Sequence, residues 1–144
     1  MRILCCGNRY RGDDAAGLLV ADRLQELGLA AQTLSGEVTE IMEAWSGADA
    51  VVLVDAVVTG ARPGTVHAWD GRDLKPCHTA SASTHGLGVG EAIELGRTLG
   101  QLPAKIQIYG IEATQVAPGT TASPEVEQAA GAVAREIARL AESA

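Results

Sequence analysis

The chain has 144 residues, of which 47% are hydrophobic and 3% aromatic, and its formal net charge at pH 7 is −7. This length and apolar content can fill one core without disulfides or a structural metal, so we expect a single domain over residues 1–144. Nucleic acid is not expected as a main partner, because contact with many phosphates requires clustered Lys and Arg.

The hydrophobic pattern predicts that strands and helices alternate along the chain. In the first part we predict a strand over Arg2–Cys6, a helix over Asp13–Leu27, a weak strand over Ala31–Leu34, a short helix over Glu37–Trp45 and a buried strand over Ala50–Asp55. In the second part we predict a strand over Thr65–Trp69, a helix over Gly86–Leu99, a strand over Lys105–Ile111 and a helix over Pro124–Ala141.

This order of elements predicts the fold class. Strands alternating with helices indicate a three-layer α/β/α sandwich around a mostly parallel, twisted sheet of about five strands. The strand over Thr65–Trp69 follows a turn at Pro63-Gly64 and is expected to run antiparallel at an edge. No apolar segment approaches the length of a membrane span. Ligands of such sheets bind beyond the carboxyl ends of the strands, so polar residues at those ends are candidate site residues.

Four polar residues stand at such positions. Asp13 and Asp14 follow the first strand, Asp55 ends the third, and His85 opens the helix after a polar loop. Structural roles remain open for each: Asp13 is a good helix N-cap and Asp14 suits the positive end of the helix dipole, each worth about 1 kcal/mol or less. Asp55 could cap loop amides, although a buried unpaired charge would cost several kcal/mol. His85 could be a structural residue at a helix start.

Taken together, Asp14, Asp55 and His85 are also suitable ligands for a metal. Two carboxylates and an imidazole from separate parts of the chain suit an open site for a divalent transition metal such as nickel or zinc, with positions left for water or substrate. Other metal signatures are missing from the sequence, which has neither an H-E-x-x-H helix nor a Cys-x-x-Cys pair.

The remaining cysteines and histidines give weaker signals. Cys5 and Cys6 fall in a predicted buried strand and are expected to be core residues, and the few cysteines favour a reducing, cytoplasmic compartment over a disulfide framework. Cys77 is a poor nucleophile candidate, because the side chain of the adjacent His78 would diverge from it. His67 and His78 are expected to be surface residues.

Several segments resemble the hydrogenase maturation proteases, endopeptidases that remove the C-terminal extension of the [NiFe]-hydrogenase large subunit after nickel insertion. The stretch GNRYRGDDAAG is similar to the family opening G-N-x-x-x-x-D-D/E-x-x-G, and VVLVDAV is similar to its strand ending in Asp. STHGLG and YGIEATQVAPGTTASPEV are similar to its His segment and its G-I-E tail. The resemblance extends over nearly the whole chain.

The resemblance implies a site and a reaction. It places Asp14, Asp55 and His85 at the family's metal-contacting and catalytic positions, and it leaves Asp13 to cap the first helix. The nickel would arrive on the [NiFe]-hydrogenase large-subunit precursor, with zinc or cadmium able to replace it in vitro. Water would attack with the metal as Lewis acid or a carboxylate as general base, two alternatives between which sequence does not choose. A cytoplasmic monomer with no nucleic-acid or membrane partner is expected.

The sequence is also compatible with two other functions, and it departs from the resembled family in one segment. A non-catalytic factor of the same fold could sense nickel or the precursor without cleaving it. A peptidyl-tRNA esterase has a similar architecture and G-N start, but the net charge of −7 argues against it.

The departure from the resembled family is at 34–39, where LSGEVT replaces its common Asp-Gly-Gly-Thr type segment. That segment is thought to shape the substrate cleft in the family, so the change bears on the choice of partner.

Overall fold

A five-stranded sheet forms the centre of the computed structural model, which describes residues 1–74 and 88–143. In chain order the strands are β1 (Arg2–Cys6), β2 (Gln32–Leu34), β3 (Ala50–Val57), β4 (Val66–Asp70) and β5 (Lys105–Glu112). Their spatial order is β2-β1-β3-β5-β4, and only the β4–β5 pair is antiparallel. The predicted mostly parallel sheet with one antiparallel edge strand is therefore confirmed.

Helices cover both faces of this sheet. They are α1 (Ala16–Glu26), α2 (Val38–Trp45), α3 (Val89–Leu99) and α4 (Pro124–Ser143), with a 3₁₀ turn over Gly12–Ala15 ahead of α1. The core on one face joins the sheet to α1 and α4, and the core on the other face joins it to α2 and α3. This is the predicted α/β/α sandwich, in which each helix buries one apolar side against the sheet. None of the described helices is long and apolar enough to cross a membrane.

The first helix and the third strand differ from their predicted bounds. The predicted helix over Asp13–Leu27 starts with the 3₁₀ turn, and regular α-helix begins only at Ala16. The third strand was predicted to end on Asp55, but β3 continues because its parallel pairing with β5 extends to the pair Val57 and Glu112. Asp55 therefore lies inside a strand, held by pairing on its β5 side.

The two adjacent cysteines of β1 are buried, as predicted. Cys5 faces the core with α1 and α4, Cys6 faces the core with α2 and α3, and both are 0% exposed. Burial raises the pKa of the Cys5 thiol to about 12. It also raises the pKa of Cys6 well above its ordinary value, so both side chains are neutral and act as small core residues.

Close packing of α1 on the sheet depends on a glycine. A Cβ atom added at Gly17 would overlap the backbone carbonyl of Cys6 and come within 2.9 Å of the carbonyl oxygen of Val54. Only glycine lets the first turns of α1 approach the strands so closely. The segment between β1 and α1 is thereby fixed against the carboxyl edge of the sheet, where the candidate site lies.

Candidate active site

Asp14 and Asp55 lie on either side of the point where the sheet changes its winding direction. From β1 the chain continues to β2 through α1 on one face, and from β2 it continues to β3 through α2 on the other face. The crevice at such a switch point, beyond the carboxyl ends of the strands, is where open α/β sheets bind ligands. Asp14 is in the turn that follows β1, and Asp55 is near the end of the neighbouring β3.

Asp55 is a buried carboxylate whose surroundings follow from strand geometry. It is 4% exposed, and its Oδ1 accepts a hydrogen bond from the backbone N–H of Ala56 at 2.8 Å. Leu53 belongs to the core with α2 and α3, so alternation along β3 places the side chain of Asp55 on that same face. Its neighbour in β5 is Gly110, which contributes no side chain.

Asp14 is even more buried and is held by its backbone. It is 1% exposed; its carbonyl oxygen accepts from the N–H of Asn8 at 3.0 Å, and its own N–H donates to the carbonyl of Arg11 at 3.0 Å. These bonds fold the loop after β1 back on itself around Asp14. After burial, the negative charges of Asp55 and, more weakly, Asp14 are among the causes that raise the pKa of Cys6. Both carboxylates therefore lie near the end of β1.

The third predicted ligand, His85, lies outside the described residues, as do Cys77 and His78. Within residues 1–74 and 88–143, no group of three or more His, Cys, Asp and Glu side chains is arranged to hold a metal ion. Asp14 and Asp55 lie at the carboxyl ends of neighbouring strands, and carboxylate oxygens are donors that suit a divalent cation. That His85 completes the set stays a prediction.

Asp13 does not have the role that the sequence predicted. Instead of capping its own helix, its carboxylate accepts hydrogen bonds from the backbone N–H groups of Thr114, Gln115 and Ser123 at 2.9, 3.0 and 2.6 Å. Burial raises the pKa of Asp13, but these N–H donors outweigh burial and hold the pKa below its ordinary value. Asp13 fastens the loop before α4 to the segment that carries Asp14.

Glu112 is a buried carboxylate that residue-by-residue reasoning missed. It is 1% exposed and accepts hydrogen bonds from the N–H and hydroxyl of Thr59, at 2.7 and 2.6 Å, and from the N–H of Gly60 at 3.2 Å. These donors belong to the loop that leaves β3 just after Asp55. A signal was present in the G-I-E segment, where a carboxylate directly follows an apolar strand.

His67 is not the plain surface residue that the sequence predicted. Its Nε2 lies 3.0 Å from Oε1 of Glu112, its ring stacks on that of Trp69 with centroids 5.0 Å apart, and its side chain is 22% exposed. The reason is the antiparallel register, which places His67 beside Gly110 of β5. Gly110 is also the neighbour of Asp55 in β3, so the histidine is two strands away from that acid.

A cleft of about 440 Å³ opens at the carboxyl ends of β1 and β2. It is lined by Gly7 and Asn8 after β1 and by the segment 35–39, which contains most of the departure from the resembled family. The segment is ordered by Glu40, whose Oε1 accepts from the N–H and hydroxyl of Ser35 at 2.7 and 2.8 Å and from the N–H of Gly36 at 3.3 Å. Gly36 has a φ of 102°, which favours glycine.

Comparison with known proteins gives a family. A family model described as "HycI: Hydrogenase maturation protease" matches residues 23–140. The matched range includes the positions of Asp55 and His85 and begins after Asp14. Among curated proteins, the hydrogenase 2 maturation protease of Escherichia coli strain K12 is 26% identical over 135 residues, which is 88% of this chain and 82% of that protein.

Solved structures agree in fold and in family. The hydrogenase maturating endopeptidase HybD from E. coli superposes with a TM-score of 0.79 at 26% identity, covering 99% of this chain and 94% of that one. The [NiFe] hydrogenase maturation protease HycI from Thermococcus kodakarensis KOD1 gives a TM-score of 0.69 at 30% identity, covering 96% and 90%. Because the family model spans most of the sequence and these folds match it from end to end, the chain belongs to the hydrogenase maturation protease family.

Proposed function

We propose that this protein is an endopeptidase that removes the C-terminal extension of a nickel-loaded [NiFe]-hydrogenase large-subunit precursor. The observation that carries the proposal is the position of two buried carboxylates, Asp14 and Asp55, at the switch point of the sheet in a member of the hydrogenase maturation protease family. Membership of this family favours the peptidase over the peptidyl-tRNA esterase.

In this proposal the nickel belongs to the substrate. Asp14, Asp55 and His85 contact the nickel that the precursor already holds, and this contact places the scissile peptide bond beside the metal. A precursor without nickel lacks the cation that the two buried acids attract, so cleavage reports that metal loading is complete. The burial of both acids strengthens this discrimination, because charges interact more strongly away from water.

The chemical step is hydrolysis of one peptide bond. A water molecule adds to the carbonyl carbon, one of its protons passes to the departing nitrogen, and the bond between carbon and nitrogen breaks. Either the nickel polarises the carbonyl as a Lewis acid or a carboxylate removes the proton from the water. In both cases Asp55 touches the reacting centre or its metal, so neutralising this residue should abolish turnover.

The proposal is tested by cleavage of the purified, nickel-loaded precursor with the variant Asp55→Asn. We expect loss of the C-terminal peptide with the wild-type protein and a rate at least about a hundredfold lower with the variant, as for removal of a catalytic group. Asp49→Asn is the matched control, because it makes the same change in an exposed residue just before β3. Full activity of Asp55→Asn would overturn the role assigned to Asp55. A stable complex between the wild-type protein and intact precursor would favour the non-catalytic sensing factor.

A further inference from the structure

Two exposed apolar side chains lie at the carboxyl ends of the strands, the same end of the sheet as Asp14 and Asp55. Tyr10 is 79% exposed in the loop that leaves β1, and Val58 is 41% exposed directly after β3. Each side chain therefore stands on a segment that also carries or adjoins one of the two acids. An exposed tyrosine beside a candidate active site differs from scattered surface residues, because tyrosine is enriched among the residues that dominate binding energy in protein interfaces.

The backbone around Tyr10 is fixed although its side chain is in solvent. The N–H of Tyr10 donates to Oδ1 of Asn8 at 2.9 Å, and its carbonyl accepts from the N–H of Gly119 at 2.8 Å. Next to it, Nε of Arg11 donates to the carbonyl of Val116 at 3.3 Å. A side chain presented on a fixed backbone loses little conformational entropy when a partner covers it, so its burial contributes more fully to affinity.

The same loop is joined to Asp14 on both sides. The N–H of Asn8 donates to the carbonyl of Asp14, and the N–H of Asp14 donates to the carbonyl of Arg11, each at 3.0 Å. A partner that binds Tyr10 thus contacts a loop whose backbone positions one of the two acids. This continuity between the exposed aromatic side chain and the acid indicates that both meet the same molecule.

We propose that Tyr10 and Val58 form an apolar rim that docks the folded body of the large-subunit precursor while Asp14 and Asp55 meet its nickel. This inference rests on the proposed function and adds the surface by which the substrate is bound. Two arginines flank Tyr10 in a protein whose net charge is −7: Arg9 is paired with Asp22, and Arg11 adds a positive charge directly next to the tyrosine. The rim therefore fits an apolar pocket of the precursor with a carboxylate at its border opposite Arg11, whereas the negative charge of the rest of the surface would repel acidic groups.

The test is steady-state cleavage of the nickel-loaded precursor by rim variants. Tyr10→Ala should raise KM about tenfold or more, Val58→Ser should raise it less, and both should leave kcat within about twofold. Tyr10→Phe keeps the ring and should restore a KM close to that of the wild type. Leu27→Ala and Leu99→Ala are matched controls: these residues are 52% and 54% exposed, but Leu27 directly follows α1 and Leu99 ends α3, both at the opposite edge of the sheet.

The outcomes separate this inference from the proposed function. If the wild type cleaves but Tyr10→Ala leaves KM unchanged, or if the controls raise KM equally, the docking rim is wrong and the peptidase stands. If the wild type does not cleave the loaded precursor, the proposed function fails, and the rim is judged by the Kd of the intact complex in titration calorimetry. A Kd about tenfold weaker for Tyr10→Ala would support the rim, and an unchanged Kd would overturn it.

Discussion

Nε2 of His67 lies 3.0 Å from Oε1 of Glu112, which joins the antiparallel edge strand to a carboxylate that is 1% exposed. The other oxygen of Glu112 accepts from the N–H groups of Thr59 and Gly60. One buried side chain therefore connects β4, the end of β5 and the loop that leaves β3. Since β3 carries Asp55, this network supports the candidate site without being part of its chemistry.

Replacing Glu112 should weaken the fold and, through the loop after β3, the activity. In Glu112→Gln the charge is lost and one hydrogen-bonding oxygen becomes an NH₂ group facing donors, so we expect a loss of about 1–3 kcal/mol in the free energy of unfolding. Urea denaturation measures this loss. Glu94→Gln provides a control on the half-exposed surface of α3, where we expect a change below about 1 kcal/mol. Equal stability of the two variants would contradict the role given to Glu112.

The pH dependence of the free energy of unfolding should reflect the ionisation of Glu112. Burial raises the pKa of Glu112, but hydrogen bonds from Thr59, His67 and Gly60 outweigh it and lower the pKa below the ordinary 4.5. A lowered folded-state pKa means that the stabilisation is complete above 4.5 and is lost as pH falls through the lower folded-state value. The free energy of unfolding of Glu112→Gln, measured by urea titration across this range, should fall less steeply than that of the wild type. Parallel curves would contradict this assignment.

Asp13 should act as a clamp, a side chain that fastens the loop between β5 and α4 to the turn before α1. Asp13→Asn keeps the shape but gives an NH₂ group and one oxygen to three backbone donors, so at least one N–H loses its acceptor, at a cost of about 1–3 kcal/mol. Amide hydrogen exchange should become faster at Thr114, Gln115 and Ser123. Asp22→Asn, a control in an exposed ion pair with Arg9, should leave exchange at these amides unchanged. Unaltered protection in Asp13→Asn would show that the clamp is not needed.

Two glycines should respond in opposite ways to the same substitution. Gly17→Ala places a Cβ against the backbone of Cys6, and because neither backbone can yield, we expect severe destabilisation. In Gly131→Ala, in α4, the added Cβ meets only the flexible ends of the Arg135 and Arg23 side chains, at 3.5 and 3.9 Å, and the substitution should stabilise the protein by about 0.5–1 kcal/mol. Thermal denaturation of both variants compares them directly. A stabilising Gly17→Ala would contradict the close packing of α1.

The sequence predicts what depends on local patterns and topology. The bounds of β1 agree with prediction, because an apolar run between polar residues marks a buried strand. Asp14 and Asp55 are expected at one edge because parallel strands place their carboxyl ends together. The true partners of Asp13 are at least 101 positions away, and Thr59 and Gly60, which donate to Glu112, are more than fifty positions earlier, so no local pattern reveals them. The prediction that His67 is a plain surface residue is wrong for the same reason, since only the register of β4 on β5 brings this side chain to Glu112.

The most direct measurement is the mass of the large-subunit precursor after incubation with the wild-type protein, once with nickel loaded and once without. We expect loss of a single C-terminal peptide from the nickel-loaded form and an unchanged mass for the nickel-free form, because in the proposed mechanism Asp14 and Asp55 position the scissile bond through the cation. Equal cleavage of both forms would contradict recognition of nickel by the buried acids. An unchanged mass for both would contradict the peptidase itself.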